Sequence, residues 1–340
     1  MPAIRPIDPD GDSRVEHKTA VLNGNTYHFL YGVPPGGTFH ATVFLIHGWP
    51  DLSMGWRYQI PMLLDMGFRV VAPDMLGYGG TDAPKSPPEP ISTYGLKRAS
   101  DDIAALAKHI GAKQIVLGGH DWGGSVVWRA AAWYPDLITH VFSVCTPYTP
   151  PHRKYFSLEQ LVAGELPQFQ YQIHLASGEV EKAVKDEASI RAFLKGLYGA
   201  KGPNGELAFD PEKGILVENL FKIGESRLLN GKMLDYYVRE FSRHGIHPTL
   251  NWYRTRRANW EDDLALLDKK VIKIPVLFIQ ATYDNVLKPE MAKNMDALLP
   301  NLTRGEVPAT HWALTQKPDE TNAIIKKWLV NQGFGTRSSL

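Results

Sequence analysis

The chain lacks the features that mark secreted and membrane proteins. Of its 340 residues only Cys145 is a cysteine, which excludes an internal disulfide and a cysteine-rich metal site and fits a reducing compartment. No apolar run approaches the roughly 18 residues of a membrane span. The first residues, Met1–Pro9, lack the apolar stretch of a signal peptide. We therefore expect a soluble, cytoplasmic protein.

The last three residues qualify that location. Ser338-Ser339-Leu340 loosely resembles the Ser-Lys-Leu address of peroxisomal proteins, but the central lysine of that address is absent. A peroxisomal location is therefore the weaker alternative, and cytoplasm is the default.

An excess of charge of either sign is also missing. The chain has 37 Lys and Arg against 36 Asp and Glu, a formal net charge of +1, so it lacks the broad positive field that attracts polyanions. Nucleic acid is therefore not an expected partner. What is present is a hydrophobic fraction of 44%, with nine Trp and fourteen Tyr, which suffices for a large core and an aromatic-lined pocket.

Short apolar runs alternate with helical patterns over much of the chain. Two alternating stretches around Asn23-Gly24-Asn25 predict a hairpin. Near-continuous apolar runs, typical of strands buried on both faces of a parallel sheet, occur at Thr42–Ile46, Phe68–Ala72, Gln114–Leu117, Leu137–Val144 and Pro275–Ile279. Helical patterns occupy Gly95–Ile110, Ser125–Trp133, Pro289–Leu299 and Glu320–Asn331. This alternation predicts an α/β fold with a mostly parallel, doubly wound sheet.

The alternation is interrupted after Cys145. Closely spaced prolines mark the exit, and helical patterns at Glu179–Lys195 and Ile215–His244 replace the strands. We therefore predict a core interrupted by one helical insertion. The boundaries are 1–146 for the first part of the core, 147–256 for the insertion and 257–340 for the second part of the core.

The most informative segment joins a predicted strand to a predicted helix. It reads Gly119-His120-Asp121-Trp122-Gly123, the Gly-x-nucleophile-x-Gly pattern of a nucleophile elbow, whose sharp turn leaves no room for Cβ atoms at the two glycines. The central residue is Asp121, and the chain contains no Gly-x-Ser-x-Gly. The alternative interpretation is an ordinary turn in which Asp121 caps the helix.

Two further residues fall where a triad requires them. In an α/β-hydrolase the order along the chain is nucleophile, acid, base, and each lies in a loop at the end of a strand. Asp284 follows the predicted strand Val276–Ile279, and His311 follows the predicted strand Arg304–Val307. A single loop histidine is most often structural, but the order and positions of all three residues favour a catalytic triad.

A loop after the strand Thr42–Ile46 adds a second landmark, His47-Gly48-Trp49-Pro50. In this fold that loop donates one backbone N–H to the oxyanion hole, and the residue after the nucleophile donates the other. The predicted oxyanion-hole donors are therefore the amides of Trp49 and Trp122, and His47 is interpreted as structural.

Together these motifs resemble those of the soluble epoxide hydrolases of the α/β-hydrolase superfamily, over nearly the whole chain. Besides the motifs above, the resemblance rests on His311-Trp312 and on two stretches of the insertion, Phe169–Gln172 and Leu250–Arg254. In that family the insertion is a helical cap whose two tyrosines point at the nucleophile. Tyr171 and Tyr253 match those tyrosines by position.

The resemblance implies that the protein hydrolyses epoxides to vicinal diols. Asp121 attacks an epoxide carbon, and a carboxylate suits this attack on saturated carbon because it is ionised at neutral pH. The phenols of Tyr171 and Tyr253 polarise the epoxide oxygen. His311, oriented by Asp284, then activates the water that hydrolyses the resulting ester.

The same resemblance implies the binding partners. Trp122, Tyr171 and Tyr253 are the expected substrate-binding residues, the substrate is an epoxide, and water is the second reactant. The aromatic richness of the chain suggests that this epoxide is small and apolar. The chemistry requires neither a metal nor an organic cofactor, and a monomer or a homodimer is expected.

Two alternatives assign other functions to the same fold. A haloalkane dehalogenase shares the Asp nucleophile, with Trp122 as a halide donor and Trp252 or an asparagine as the second donor. The tyrosines would then be incidental, so the presence of Tyr171 and Tyr253 favours the epoxide. A catalytically silent hydrolase that acts as a small-molecule receptor usually lacks a triad member, and all three are present here.

Overall fold

The computed structural model describes residues 5–335. Its strands are β1 (Glu16–Leu22), β2 (Asn25–Gly32), β3 (Ala41–Ile46), β4 (Phe68–Pro73), β5 (Ile115–His120), β6 (Ile138–Val144), β7 (Phe209–Asp210), β8 (Gly214–Ile215), β9 (Val276–Ala281) and β10 (Leu302–Val307). Its α-helices are α1 (Gln59–Asp65), α2 (Leu96–His109), α3 (Trp122–Trp133), α4 (Leu158–Val162), α5 (Gln170–Ala176), α6 (Glu179–Ala183), α7 (Glu187–Leu197), α8 (Gly231–Ser242), α9 (His247–Leu250), α10 (Arg256–Asp263), α11 (Ala313–Gln316) and α12 (Pro318–Asn331).

Within residues 5–335, eight strands form one sheet in the order β1-β2-β4-β3-β5-β6-β9-β10. The pairs β1–β2 and β2–β4 are antiparallel, and every pair from β4 to β10 is parallel. The predicted α/β fold with a mostly parallel, doubly wound sheet is confirmed. The strand order reverses at β3, which lies between β4 and β5, so the carboxyl ends of β3 and β5 flank the topological switch point where ligands bind in such sheets.

The central strands are buried because most of their side chains are apolar on both faces. Every residue of β4, β5 and β9 is buried. On β6, Phe142 packs edge to face against Trp56 and Trp328, with ring centroids 6.0 and 6.3 Å apart. Gly118 on β5 makes room for this ring, since a Cβ there would lie 2.1 Å from Phe142 Cζ.

The chain divides into two compact units. Of the described residues, the first unit contains 5–75, Leu96–Pro151 and 265–335, and it carries the eight-stranded sheet. The second contains Leu76–Gly95 and His152–Leu264, which hold α4 to α10 and the β7–β8 pair. Residues 152–256 of the predicted insertion lie in this second unit. The boundaries of the insertion at 147 and 256 stay a prediction.

Two predicted helices of the second unit are interrupted in the structure. Glu179–Lys195 comprises α6 and α7, because Asp186 adopts an extended conformation and its carboxylate accepts the N–H of Ser189 to begin α7. Ile215–His244 begins in β8 and becomes α-helical only at α8. Asn230 is extended there and lies at the N-cap of α8.

A third helical prediction, Pro289–Leu299 in the first unit, is also wrong. Only two 3₁₀ segments form, Pro289–Ala292 and Met295–Ala297. Asn294 and Asp296 are weak helix formers because their short polar side chains compete for backbone hydrogen bonds, so the apolar spacing alone does not sustain an α-helix.

None of the helices within residues 5–335 combines the length and the apolar character that crossing a bilayer requires. The peroxisome-like Ser338-Ser339-Leu340 lies outside the described residues. The cytoplasmic location, and its peroxisomal alternative, stay predictions.

A buried carboxylate joins the β1–β2 hairpin to α2. Asp102, only 2% exposed, accepts hydrogen bonds from the Tyr27 hydroxyl at 2.5 Å, from Asn23 Nδ2 at 2.7 Å and from Arg98 Nε at 2.9 Å. Burial raises the pKa of Asp102 in spite of these donors. The charged form of Asp102 therefore depends on these hydrogen-bond donors and on the charge of Arg98.

We predict that Arg98→Met lowers the free energy of unfolding by about 3 kcal/mol, because it leaves a buried carboxylate without its cation. Urea unfolding monitored by tryptophan fluorescence measures the loss. Lys317→Met is the control, since Lys317 and Glu320 form a pair with side chains 37% and 46% exposed, and we expect a change below about 1 kcal/mol. Equal losses in the two variants would contradict the prediction.

Candidate active site

Asp121 lies at the sharp turn between β5 and α3, where the sequence predicts the elbow. Its backbone has φ 54° and ψ −123°, a conformation that costs a residue with a side chain about 1–3 kcal/mol. Three donors hold its carbonyl oxygen: the N–H groups of Gly124 and Ser125 at 2.8 and 3.3 Å, and the Thr146 hydroxyl at 2.7 Å. Hydrogen bonds from α3 and from the turn after β6 therefore hold the strained backbone in place.

Two glycines make room for this turn. A Cβ on Gly123 would lie 2.0 Å from the Ile46 carbonyl oxygen, so α3 approaches the end of β3 only because the side chain is missing. A Cβ on Gly48 would lie 2.3 Å from the Cβ of Asp121. The close approach of the two loops at the switch point therefore requires glycine at both positions.

The structure brings Asp121, His311 and Asp284 together. His311 Nδ1 lies 2.7 Å from Asp284 Oδ2, and His311 Nε2 lies 3.5 Å from Asp121 Oδ2. Asp284 follows β9, and its Oδ1 accepts the N–H groups of Val286 and Leu287 at 2.9 and 3.0 Å. One imidazole is therefore placed between two carboxylates, and the Asp284 carboxylate is fixed by its own loop.

The charges of these three groups stabilise one another. Burial lowers the pKa of His311, but the charge of Asp284 and the hydrogen bond that the imidazolium donates to Asp121 outweigh burial and raise the pKa to about 10. Burial acts in the opposite direction on the two carboxyl groups and raises the pKa of Asp121 and of Asp284. The charge of His311 and its hydrogen bonds outweigh burial and hold both pKa values below their ordinary values. In the free protein at neutral pH, His311 is an imidazolium between two carboxylates.

The predicted oxyanion-hole residues lie beside Asp121. The Trp49 N–H donates to Asp121 Oδ1 at 2.8 Å, so the two carboxylate oxygens of Asp121 have different partners. Trp122 is the first residue of α3 and follows Asp121 directly. The sequence predicts both positions, from the elbow and from the loop after β3, and their role as oxyanion-hole donors stays a prediction.

The two predicted tyrosines lie together in the second unit. Tyr171 is on α5, and Tyr253 is in the 3₁₀ segment Asn251–Arg254. Their ring centroids are 5.9 Å apart with an interplanar angle of 74°, and each residue is 6% exposed. The Gln172 amide donates to the Tyr171 hydroxyl at 3.2 Å.

Arg254 connects the elements that carry these tyrosines. Its Nε donates to the Ala176 carbonyl at the end of α5 at 3.0 Å, and a terminal nitrogen lies 2.6 Å from Glu181. The neighbouring Trp252 donates its indole N–H to the Leu76 carbonyl at 3.0 Å. Because these bonds fix both segments within the second unit, the tyrosine pair has a defined geometry.

Comparison with known proteins places the chain in a family. Residues 41–318 match the family described as "alpha/beta hydrolase fold". The chain is 40% identical to Epoxide hydrolase srdG of Neurospora crassa, over 96% of this chain and 98% of that protein. The chain belongs to the epoxide hydrolases of the alpha/beta hydrolase family.

Other members of the family agree with this assignment. Epoxide hydrolase A of Mycobacterium tuberculosis is 32% identical, over 90% of this chain and 95% of that protein. The crystal structure of epoxide hydrolase VrEH1 from Vigna radiata matches this alpha/beta hydrolase with a TM-score of 0.79 and 26% identity, over 94% of this chain and 99% of that chain.

One cluster in this alpha/beta hydrolase contains metal-binding residue types. Within residues 5–335, only His120, Cys145 and His311 bring three such ligand atoms within 4.8 Å of one another. His311 Nδ1 is bonded to Asp284, and His120 Nε2 lies 2.8 Å from the His311 carbonyl oxygen. His311 Nδ1 and His120 Nε2 therefore already have hydrogen-bond partners. That the protein needs no metal or cofactor stays a prediction.

Sequence reasoning assigned no part to His120 or Cys145. His120 is part of the elbow motif, but a pattern that predicts a nucleophile does not show what the preceding side chain contacts. Cys145 follows β6 and meets the loop of His311 only through the folded sheet. The positive φ of Cys145, 69°, has no sequence signature, since glycine or asparagine is the residue expected there.

We predict that the pKa of His311 is about 10 in the free protein and falls in Asp121→Asn, because the variant loses one of the two carboxylates that raise it. Since the pKa is raised, the imidazolium persists to high pH and loses its proton as the pH rises through that value. NMR titration of the imidazole measures the change. The exposed Asp136→Asn is the control and leaves the pKa unaltered. Titration of His311 near the ordinary value of 6.5 in the unsubstituted protein would contradict this account.

Proposed function

We propose that the protein hydrolyses epoxides to vicinal diols through a hydroxyalkyl ester on Asp121. One observation carries the proposal: the Asp121 carboxylate has one oxygen on the Trp49 N–H and the other facing His311, in a chain 40% identical to an epoxide hydrolase. The substrate is a small apolar epoxide with Trp122 and the tyrosine pair as its binding residues, and water is the second reactant.

The first step is displacement at an epoxide carbon. Asp121 Oδ2 forms the bond to carbon, the carbon–oxygen bond of the ring breaks, and its electron pair goes to the epoxide oxygen. A carboxylate performs this step without a general base because it is already ionised, and His311 holds the pKa of Asp121 low in spite of burial. A phenol proton from Tyr171 or Tyr253 neutralises the alkoxide.

Ester formation then changes the state of His311. The ester carries no charge, so the hydrogen bond and charge by which Asp121 raises the pKa of His311 are lost. The imidazolium passes its proton through solvent to the phenolate and becomes a neutral base. The charge of Asp284 remains and orients the ring for the next proton transfer.

The second step is hydrolysis of the ester. His311 takes a proton from water, and the water oxygen bonds to Cγ of Asp121. The negative charge falls on Oδ1, where the amides of Trp49 and Trp122 stabilise it by about 3 kcal/mol each. The bond between Cγ and Oδ2 breaks, and the departing alkoxide takes the proton of the new carboxylic acid. The diol leaves, with Asp121 ionised and His311 protonated as at the start.

The geometry weighs against the two alternatives. A haloalkane dehalogenase would use Trp252 or an asparagine as its second halide donor, but the Trp252 indole N–H is bonded to the Leu76 carbonyl. A silent receptor has no need of a triad, whereas His311 lies between Asp121 and Asp284 at 3.5 and 2.7 Å. Both contrasts support the epoxide hydrolase.

We expect His311→Gln to trap the ester, because this variant lacks the base. We expect Asp121→Ala to lower turnover by at least about 10³-fold, because this variant lacks the nucleophile. Mass spectrometry of the His311→Gln protein treated with styrene oxide should show one added epoxide mass on the peptide that contains Asp121. An adduct on another residue, or turnover by Asp121→Ala, would refute the assignment.

Tyr171→Phe and Tyr253→Phe should each lower kcat/KM for diol formation by about 10- to 100-fold, since each removes one acid from the epoxide oxygen. The matched control is Tyr198→Phe, because Tyr198 and Tyr237 form a buried pair in the same unit with the same 5.9 Å spacing. We expect that control to keep full activity. Unchanged diol formation in both test variants, with halide release from a bromoalkane by the unsubstituted protein, would instead support the dehalogenase.

A further inference from the structure

Two buried side chains converge on one main-chain atom, the carbonyl oxygen of His311. His120 Nε2 lies 2.8 Å from that oxygen, and Cys145 Sγ lies 3.4 Å from it. A carbonyl oxygen only accepts hydrogen bonds, so the His120 ring carries its hydrogen on Nε2 and the Cys145 thiol is a donor. The two donors come from separate places in the sheet, since His120 ends β5 and Cys145 follows β6.

Both donors are held there in spite of local penalties. His120 is 1% exposed, and its Nδ1 is buried with no hydrogen-bond partner in the described part of the chain. Cys145 is fully buried and has φ 69°, the left-handed conformation that favours glycine. An apolar side chain at 120 would avoid the unpaired nitrogen, and glycine at 145 would avoid the strain. What both side chains supply in spite of these penalties is a hydrogen-bond donor.

The chemical state of each donor suits the contact. Burial and then the charge of His311 lower the pKa of His120, so its ring is neutral and keeps a single hydrogen. Burial and then the charge of Asp284 raise the pKa of the Cys145 thiol well above its ordinary value, so the thiol keeps its hydrogen. Both groups remain donors throughout the neutral pH range.

The same contacts reach the imidazole ring of His311. The rings of His120 and His311 are 4.9 Å apart between centroids, with an interplanar angle of 43°. His120 therefore touches both the main chain and the ring of the base, and it precedes Asp121 directly in sequence. It connects the elbow at Asp121 to the loop of His311.

We propose that His120 and Cys145 are positioning residues, which fix the His311 main chain so that Nδ1 meets Asp284 and Nε2 faces Asp121. This inference rests on the proposed function, in which ester formation depends on Asp121 and ester hydrolysis depends on His311. Loss of either donor lets the imidazole of His311 shift. Ester hydrolysis, which uses the imidazole as a base, is then the step that slows.

The test separates the two steps in single-turnover experiments with styrene oxide, with the ester and the diol quantified after rapid quenching. Cys145→Ala removes the donor, and we expect ester hydrolysis to slow by at least about 10-fold with ester formation unchanged, because a small displacement of a catalytic group has effects of this size. Cys145→Ser keeps an O–H donor and should restore hydrolysis. Ser143→Ala is the control, since it removes a buried hydroxyl that donates to the Thr146 carbonyl at the same turn.

A second pair of variants tests the other donor. His120→Gln keeps an N–H at a similar reach and should hydrolyse the ester faster than His120→Leu, which has no donor. If Cys145→Ala slows both steps equally or slows neither, or if Cys145→Ser does not restore hydrolysis, the positioning role is overturned and the proposed function stands. If the unsubstituted protein forms no ester on Asp121, the proposed function fails, and this inference fails with it.

Discussion

One imidazolium between two carboxylates is the interaction on which the candidate active site depends. Burial acts against the charge of each group, yet His311 keeps a raised pKa and both Asp121 and Asp284 keep lowered ones, because each charge compensates the others. In the proposed mechanism the neutralisation of Asp121 disturbs this balance. Ester formation thereby converts His311 into the neutral base that ester hydrolysis needs. The charges of the three side chains set the order of the two steps.

The sheet brings these groups to one edge. Asp121, Asp284 and His311 follow β5, β9 and β10, and Trp49 follows β3, all of them parallel strands. The carboxyl ends of parallel strands meet at the same side, so residues far apart in sequence become neighbours without long loops. The strained elbow at Asp121 and the glycines around it then complete the approach of the loops.

The sequence was informative where a local pattern has a fixed place in the fold. The apolar runs predicted the parallel sheet, and strand-end positions with the order nucleophile, acid, base indicated Asp121, Asp284 and His311. Positions set by tertiary contact were not predictable in this way. Cys145 follows β6 and His311 follows β10, and the two residues meet because both strands pair with β9. Apolar spacing suggested a helix at Pro289–Leu299, where Asn294 and Asp296 do not favour one.

The covalent ester is the central claim, and oxygen tracing tests it most directly. A single turnover is run with enzyme in excess of epoxide, in water labelled with oxygen-18. If Asp121 attacks the epoxide and water attacks Cγ, the first diol carries an unlabelled oxygen from the carboxylate and the label appears on the peptide that contains Asp121. If water attacks the epoxide directly, the diol carries the label and Asp121 does not, which would contradict the mechanism.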